Sequence, residues 1–215
     1  MGGNAVTSIA QQFGRPRGLL GTLIGYGMAR GNGELSRWVV QQVKSNHEGE
    51  ARRVAELGPG PGVGLEALLA QFRDAHVWGI DLSPTMLSQA RKRNLSQVEA
   101  GRLTLIEGNT SALSGIAPAD IVMANHVLYF WHDPKAEMEQ IRGFLRPGGL
   151  LAVGYHLRQN MPRMAQKRGP PAGHLLYDSD DDVARLARAA GFSSITHRVK
   201  GSAEAPKGRV MLAVA

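Results

Sequence analysis

Cysteine is absent from the 215-residue chain. That excludes disulfides, thiolate metal sites and a cysteine nucleophile, and it leaves the redox compartment unreadable from this residue. Long apolar runs are missing too: no window reaches the ~18–20 apolar residues that a membrane-spanning helix needs. The opening residues, MGGNAVTSIAQQ, lack a basic stretch followed by an apolar core. No secretory leader is therefore expected, and the chain reads as cytoplasmic. Aromatics make up only 6% of the residues and do not interleave with the basic ones. That argues against a nucleic-acid surface built from stacking platforms and cations, even at a net charge of +7. The basic residues fall in scattered groups, Arg15/Arg17, Arg52/Arg53, Arg91–Arg93 and a run from Arg158 to Arg168.

What is present is alternation. Residues 1–50 are helical in character, read as two helices broken at Gly31-Asn32-Gly33, and precede the first strand as a cap or lid. From 51 to 215 short apolar runs alternate with helical patterns. RRVAEL, HVWGID, RLTLIEG, ADIVMANHVLYF and LLAVGY read as strands one to five, with Asn125 expected at the end of the fourth. Helices read from VGLEALLAQFRDA, SPTMLSQARKRN, DPKAEMEQIRGFLRPGG and DSDDDVARLARAAG. FSSITHRV and GRVMLAVA have no helix between them and form an antiparallel hairpin at one edge. Strands joined through helices mean a parallel sheet with right-handed crossovers. The expected fold is an α/β, Rossmann-like doubly wound sheet of seven strands in a single domain over 1–215, capped by 1–50. One connection, 156–177, carries three prolines and no acid. Leaving the carboxyl end of the fifth strand, it is read as a substrate-covering segment.

The stretch AELGPGPGVG (55–64) follows a strand and opens a helix. A ligand there meets exposed backbone and a helix N-terminus. The dinucleotide fingerprint fails in both registers, because its last glycine would fall on Val63 or Leu65. The phosphate loop fails because Gly64 is followed by Leu65 and Glu66. Pro59 and Pro61 have no N–H to offer a phosphate, and Glu56 adds negative charge. A cationic ligand suits the loop.

Here the chain resembles the class I S-adenosylmethionine-dependent methyltransferases, and within them a small-molecule, type 11-like branch. The acidic-x-Gly-x-Gly-x-Gly signature is matched by Glu56, Gly58, Gly60 and Gly62. An acid, Asp81, ends the second strand in GIDLSPTML; IEGNTSAL follows the third, with Asn109 where the family usually has an adenine-contacting Asp; and LRPGGLLAV leads into the fifth. The likeness covers residues 50–155 well and the remainder by topology alone. It implies S-adenosyl-L-methionine as cofactor and S-adenosyl-L-homocysteine as product. It further implies Asp81 on the ribose hydroxyls, Leu82 and Met86 against the adenine, and Asn109, Thr110 and Asn125 along the site. Tyr26 and Trp131 are candidate walls for the sulfonium, since aromatic faces attract cations.

The segment after the fourth strand lacks the Asn/Asp-Pro-Pro-Tyr/Phe run of nucleobase and protein amino methyltransferases. It has Asn125-His126-Val127-Leu128-Tyr129, then Asp133-Pro134. That favours a small-molecule acceptor methylated on O, N or C. An RNA methyltransferase and a non-catalytic cofactor-binding partner protein remain as alternatives. His126 is the candidate base or orienting group, with His132 and His156 as rivals; His titrates in the useful range. His126, His132 and Asp133 are not a recognisable ligand set, so no metal is expected. The protein is expected to be a monomer or homodimer.

Overall fold

The computed structural model describes residues 33–161, 163, 166, 175–202 and 204–215. Residues 33–46 form a helix, α1. There follow β1 (Arg53–Leu57), α2 (Val63–Gln71), β2 (His76–Asp81), α3 (Pro84–Arg93), α4 (Leu95–Glu99) and β3 (Leu103–Glu107). A 3-10 turn (Thr110–Gly115), β4 (Ala119–Asn125) and a second short turn (Leu128–Phe130) come next. The chain closes with α5 (Pro134–Phe144), β5 (Leu145–Tyr155), α6 (Asp180–Ala189), β6 (Ser193–Gly201) and β7 (Pro206–Val214).

The strands make one seven-stranded sheet in the order β3-β2-β1-β4-β5-β7-β6. The first five are parallel, and β7 runs antiparallel to both β5 and β6. Strand order reverses between β1 and β4, and the crevice outside their carboxyl ends is where such sheets bind ligands. The central strands are mostly apolar because both faces are covered, with Glu56 and Asn125 as buried polar exceptions at the carboxyl ends of β1 and β4. Along β4, Ile121 and Met123 belong to one core, Val122 and Ala124 to the other. On the first face Leu35, Val39, Leu65, Leu68 and Ala90 bring down α1, α2 and α3. On the second, Leu113, Met138, Ile141, Val183 and Ala187 bring down the 110–115 turn, α5 and α6. Each such buried Leu, Ile, Val or Met is worth about 1.5–3 kcal/mol relative to exposure.

The helix starts are written locally. Ser83 caps α3 by accepting from the Met86 N–H (3.3 Å), with Pro84 in the first turn. Asp133 does the same for α5 through Ala136 (3.1 Å). Ser179 and Asp182 form a capping box on α6, and Asp180–Asp182 place negative charge at its positive end. Tyr155 is fully buried, and its hydroxyl donates to Asp180 (2.5 Å). Arg209 binds the other Asp180 oxygen (2.6 Å), so α6 is tied to the ends of β5 and β7.

Four expectations change. Gly33, assigned to a break, is already helical, and residues 1–32 of the 1–50 cap lie outside the described residues. The apolar run 126–130 leaves the sheet after Asn125 and turns. The fifth strand begins at Leu145, not Leu150: Leu145 pairs with Ala119, and the register shifts before Leu150 meets Ile121. The Arg-Pro-Gly-Gly stretch, read as a helix stop, is an irregular entry into the strand. Finally, Leu95–Glu99 adds a short helix after Asn94, where SPTMLSQARKRN ends.

Candidate active site

The loop after β1 is closed upon itself. Gly58 N–H donates to the Ile80 carbonyl (2.8 Å) and Gly62 N–H to the Pro59 carbonyl (3.0 Å). Gly60 N–H donates to Asp81 Oδ2 (3.1 Å). With proline at 59 and 61, the backbone from 58 to 62 has no amide left for a phosphate. The glycines have separate reasons. Gly60 has φ +51° and no atom within 4 Å of where a Cβ would stand, so its missing side chain leaves the cleft open. A Cβ on Gly58 would strike Val127, and one on Gly64 would overlap the Glu56 carboxylate. Gly62 faces away, against Ala90 and Asn94, and holds the loop to α3.

These elements wall a cleft of about 350 Å³, within the size range of small-molecule sites. Asp81 stands on its wall. One carboxylate oxygen takes Gly60 N–H and the other Ser83 N–H (2.8 Å). Both bonds hold the carboxylate still, and each oxygen keeps a lone pair for a diol. Burial pushes its pKa up, against the pull of Ser83 and Gly60. Glu56, 2% exposed, lies beneath the loop with Oε2 unpartnered among the described residues. Burial pushes its carboxyl up to about 8; Asn125 beside it eases the charge, and Asp81 adds repulsion. Neither amide atom of Asn125 has a hydrogen bond of good geometry. A Cβ on Gly154 would collide with its Oδ1, so the glycine on β5 makes room for this side chain.

His126 follows Asn125 with φ 57°, a left-handed conformation that His tolerates better than most residues. Its N–H is fixed by the Gly154 carbonyl (2.8 Å). The ring stacks on that of His156, centroids 5.1 Å apart. Burial, then His156, hold its pKa down to about 3, and burial lowers that of His156. Both imidazoles are therefore neutral at ordinary pH. Tyr129 clamps His156, its hydroxyl accepting from the His156 N–H and donating to its carbonyl (3.1 Å). The Tyr129 carbonyl accepts from Leu175 N–H (2.9 Å), and Arg158 N–H donates to the Tyr177 carbonyl (2.8 Å). The described ends of the 156–177 connection are thus pinned beside His126.

A family model described as a methyltransferase domain matches residues 55–151. An uncharacterised methyltransferase of Bacillus subtilis strain 168, YdaC, is 31% identical over 140 residues, 64% of this chain and 72% of that protein. The chain belongs to the class I S-adenosylmethionine-dependent methyltransferases. A trans-aconitate 2-methyltransferase of Rhodopseudomonas palustris strain BisB18 is 36% identical over 104 residues. That match takes in 48% of this methyltransferase and 38% of the relative, and the chain spans less than half the length of the trans-aconitate relatives it matches. The fold is shared over almost the whole length with a magnesium protoporphyrin IX methyltransferase from Synechocystis PCC 6803 with bound SAH. The TM-score is 0.67 at 16% identity, covering 99% of this chain and 94% of that one.

Of the residues singled out in the methyltransferase sequence, Glu56, Gly58, Gly60, Asp81, Leu82, Met86, Asn109, Thr110, Asn125 and His126 line the cleft. Trp131 and His132 do too. Gly62 and His156 stand behind its wall, the first against α3 and the second against His126. Tyr26 lies outside the described residues. The sequence reading missed Ser36 on α1, Phe130 and Glu137. Glu137 reads as an ordinary acid in a first helical turn, complementing the helix dipole. Its one sequence signal is position: the Asp133-Pro134 start sets it beside Met138, the first core residue of α5. Among the described residues, no three His, Asp or Glu side chains converge as a metal site, and no helix is long and apolar enough to cross a membrane.

Proposed function

We propose that residues 51–215 form one catalytic core, capped by α1, that binds S-adenosyl-L-methionine in the cleft and methylates a small molecule. The observation that carries this is the pairing, on one wall, of a loop with no amide to offer a phosphate and Asp81 held ready for a diol. The residues fit the cofactor from end to end. Asp81 takes the ribose hydroxyls, Leu82 and Met86 flank the base, and Glu56 with Asn125 faces the amino-acid end, where unpartnered acceptors await a cation. When bound, the cofactor supplies an electrophilic methyl group on a sulfonium.

The chain's own part is alignment and exclusion of water. Alignment alone can supply roughly 7–11 kcal/mol of barrier reduction. His126 borders the end of the cleft beside β4. Among the described residues no carboxylate raises the pKa of either ring, so neither imidazole gains support as a cation. A base is most effective with a pKa near the working pH. This favours His126 as a group that orients the acceptor over one that removes its proton. An acceptor already ionised at neutral pH, such as a carboxylate, needs no base, and the trans-aconitate relatives agree with that chemistry. O-methylation of a small acid is accordingly the acceptor class we favour.

Two measurements test this. Calorimetry should detect binding of S-adenosylhomocysteine, and Asp81→Ala should weaken it by about 1–3 kcal/mol, the range for a lost charged hydrogen bond. A metabolite pool supplied with labelled methyl donor should then yield a labelled small-molecule ester. Binding of NAD in preference, or of neither ligand, would defeat the assignment; label entering RNA alone would replace the acceptor class.

A further inference from the structure

Glu137 is an acid on the cleft wall with nothing to hold. Its Oε2 is buried, and among the described residues it has no hydrogen-bond partner and no ion pair, although Lys135 on the same helix pairs with Glu139. Buried polar atoms almost always have partners. Leaving one unmade is costly, and more so for a charge. A macrodipole role in the first turn of α5 needs no burial and no aim into a cleft.

The neighbourhood says what kind of partner is wanting. One turn further along α5, Gln140 donates to Ser111 Oγ (3.2 Å), which seats this face of the helix on the 110–115 turn. Glu137, three residues earlier and so on the same face, lines the cleft together with Asn109 and Thr110 at the start of that turn. Asn109 Oδ1 caps the turn by accepting from Ser111 N–H (3.1 Å), which fixes the side chain and leaves that oxygen one lone pair. Its amide NH₂ remains as a donor. The wall thus offers a donor from Asn109 and an acceptor from Glu137. Adenine presents the complement on its outer edge: the exocyclic amine donates and the adjacent ring nitrogen accepts. Hypoxanthine presents the reverse, a carbonyl and a ring N–H.

We propose that Glu137 is the residue that reads the exocyclic amine of the cofactor's base, selecting adenine over its deaminated form. This rests on the cofactor assignment above. A carboxylate that accepts from the amine faces the hypoxanthine carbonyl with repulsion and with no hydrogen bond, so discrimination comes from both attraction and rejection.

Calorimetry with two probes, S-adenosylhomocysteine and S-inosylhomocysteine, tests it on the full chain and on Glu137→Ala, Glu137→Gln and Asp81→Ala. The unaltered protein should prefer the adenosyl ligand by about 10- to 100-fold, the equivalent of one charged hydrogen bond. Glu137→Ala should lose most of that preference by weakening the adenosyl ligand alone. Glu137→Gln keeps the size and helix propensity, so it carries the test if the alanine variant does not fold. Its amide can donate to the hypoxanthine carbonyl, so it should narrow the preference as well. Asp81→Ala should weaken both ligands alike and keep the preference. Unchanged affinity and preference in both Glu137 variants would overturn the role of Glu137 while leaving the cofactor assignment intact. Failure of the unaltered protein to bind S-adenosylhomocysteine would overturn the assignment itself.

Discussion

Replacing Glu56 by glutamine should make the ligand-free methyltransferase more stable above neutral pH, by an amount that grows with pH. Glu56 lies under the glycine loop at 2% exposure, with Oε2 unpartnered. Burial dominates in lifting its carboxyl to about 8 from an ordinary 4.5. In the unfolded chain the group is ionised above about 4.5; in the folded chain it keeps its proton until about 8. Between those values the folded state binds more protons, so stability falls as pH rises, by up to ~1.4 kcal/mol per pH unit. The contribution is fully present below pH 4.5 and lost as pH rises through 8. Across the window the loss approaches roughly 4–5 kcal/mol, a large share of the ~5–15 kcal/mol that holds a domain. Glutamine keeps the shape and has no proton to lose. Urea denaturation of both proteins at pH 5 to 9 reads the difference directly. The curves should nearly coincide in free energy at pH 5 and separate progressively to pH 9. Parallel pH dependence in the two proteins would refute the claim that Glu56 stays protonated in the fold. A cation bound beside Glu56 should reverse the preference. Titration with S-adenosylhomocysteine near pH 7 should then release a proton, seen as a binding heat that varies with the buffer's ionisation enthalpy, and Glu56→Gln should abolish that variation.

Gly64→Ala should destabilise the fold by about 1–3 kcal/mol, the usual range for overpacking, because the new methyl overlaps the Glu56 carboxylate. In a Glu56→Ala background most of that loss should vanish, and a double-mutant cycle by urea denaturation measures the coupling. His126→Asn, which tolerates the left-handed backbone, should lower kcat by less than about tenfold if the ring only positions the acceptor. Its pH–rate profile should match that of the unaltered enzyme; a loss of about a hundredfold or more together with a vanished acidic limb would restore proton removal to His126.

The order of strands was legible because each carries its own punctuation. Ser83-Pro84 and Asp133-Pro134 mark helix starts, and apolar runs too short for helices mark the strands buried on both faces. The absence of a helix between the last two strands fixed the antiparallel edge. Where the pattern misled, tertiary pairing overrode local chemistry. Leu145 joins the sheet because Ala119 is there to pair with it, despite a Pro-Gly-Gly that reads as a stop. The run past Asn125 is apolar because Leu128, Tyr129 and Trp131 are buried under the second face, not because it continues the strand. In the site, Asp81 and the glycines announced themselves by spacing. Glu137 could not, since its place on the cleft wall comes from Gln140 seating α5 on a turn distant in sequence.

The adenosine half of the cofactor is common currency: ATP and the dinucleotides carry the same ribose and the same base. Holding adenosine as proposed, Asp81 and the base-facing wall would not tell these molecules from a methyl donor, so the choice would fall on whatever follows the 5′ carbon. There the loop discriminates by withholding. Gly58, Gly60 and Gly62 have their N–H groups occupied by Ile80, Asp81 and Pro59, and the prolines between them have none. A triphosphate entering in the same register would shed its hydration and find no donor from this backbone, with Glu56 below it. On the proposed binding mode, the alternating prolines would act as a competitor filter against nucleotides that share the adenosine handle, without adding a contact to the methyltransferase's own ligand.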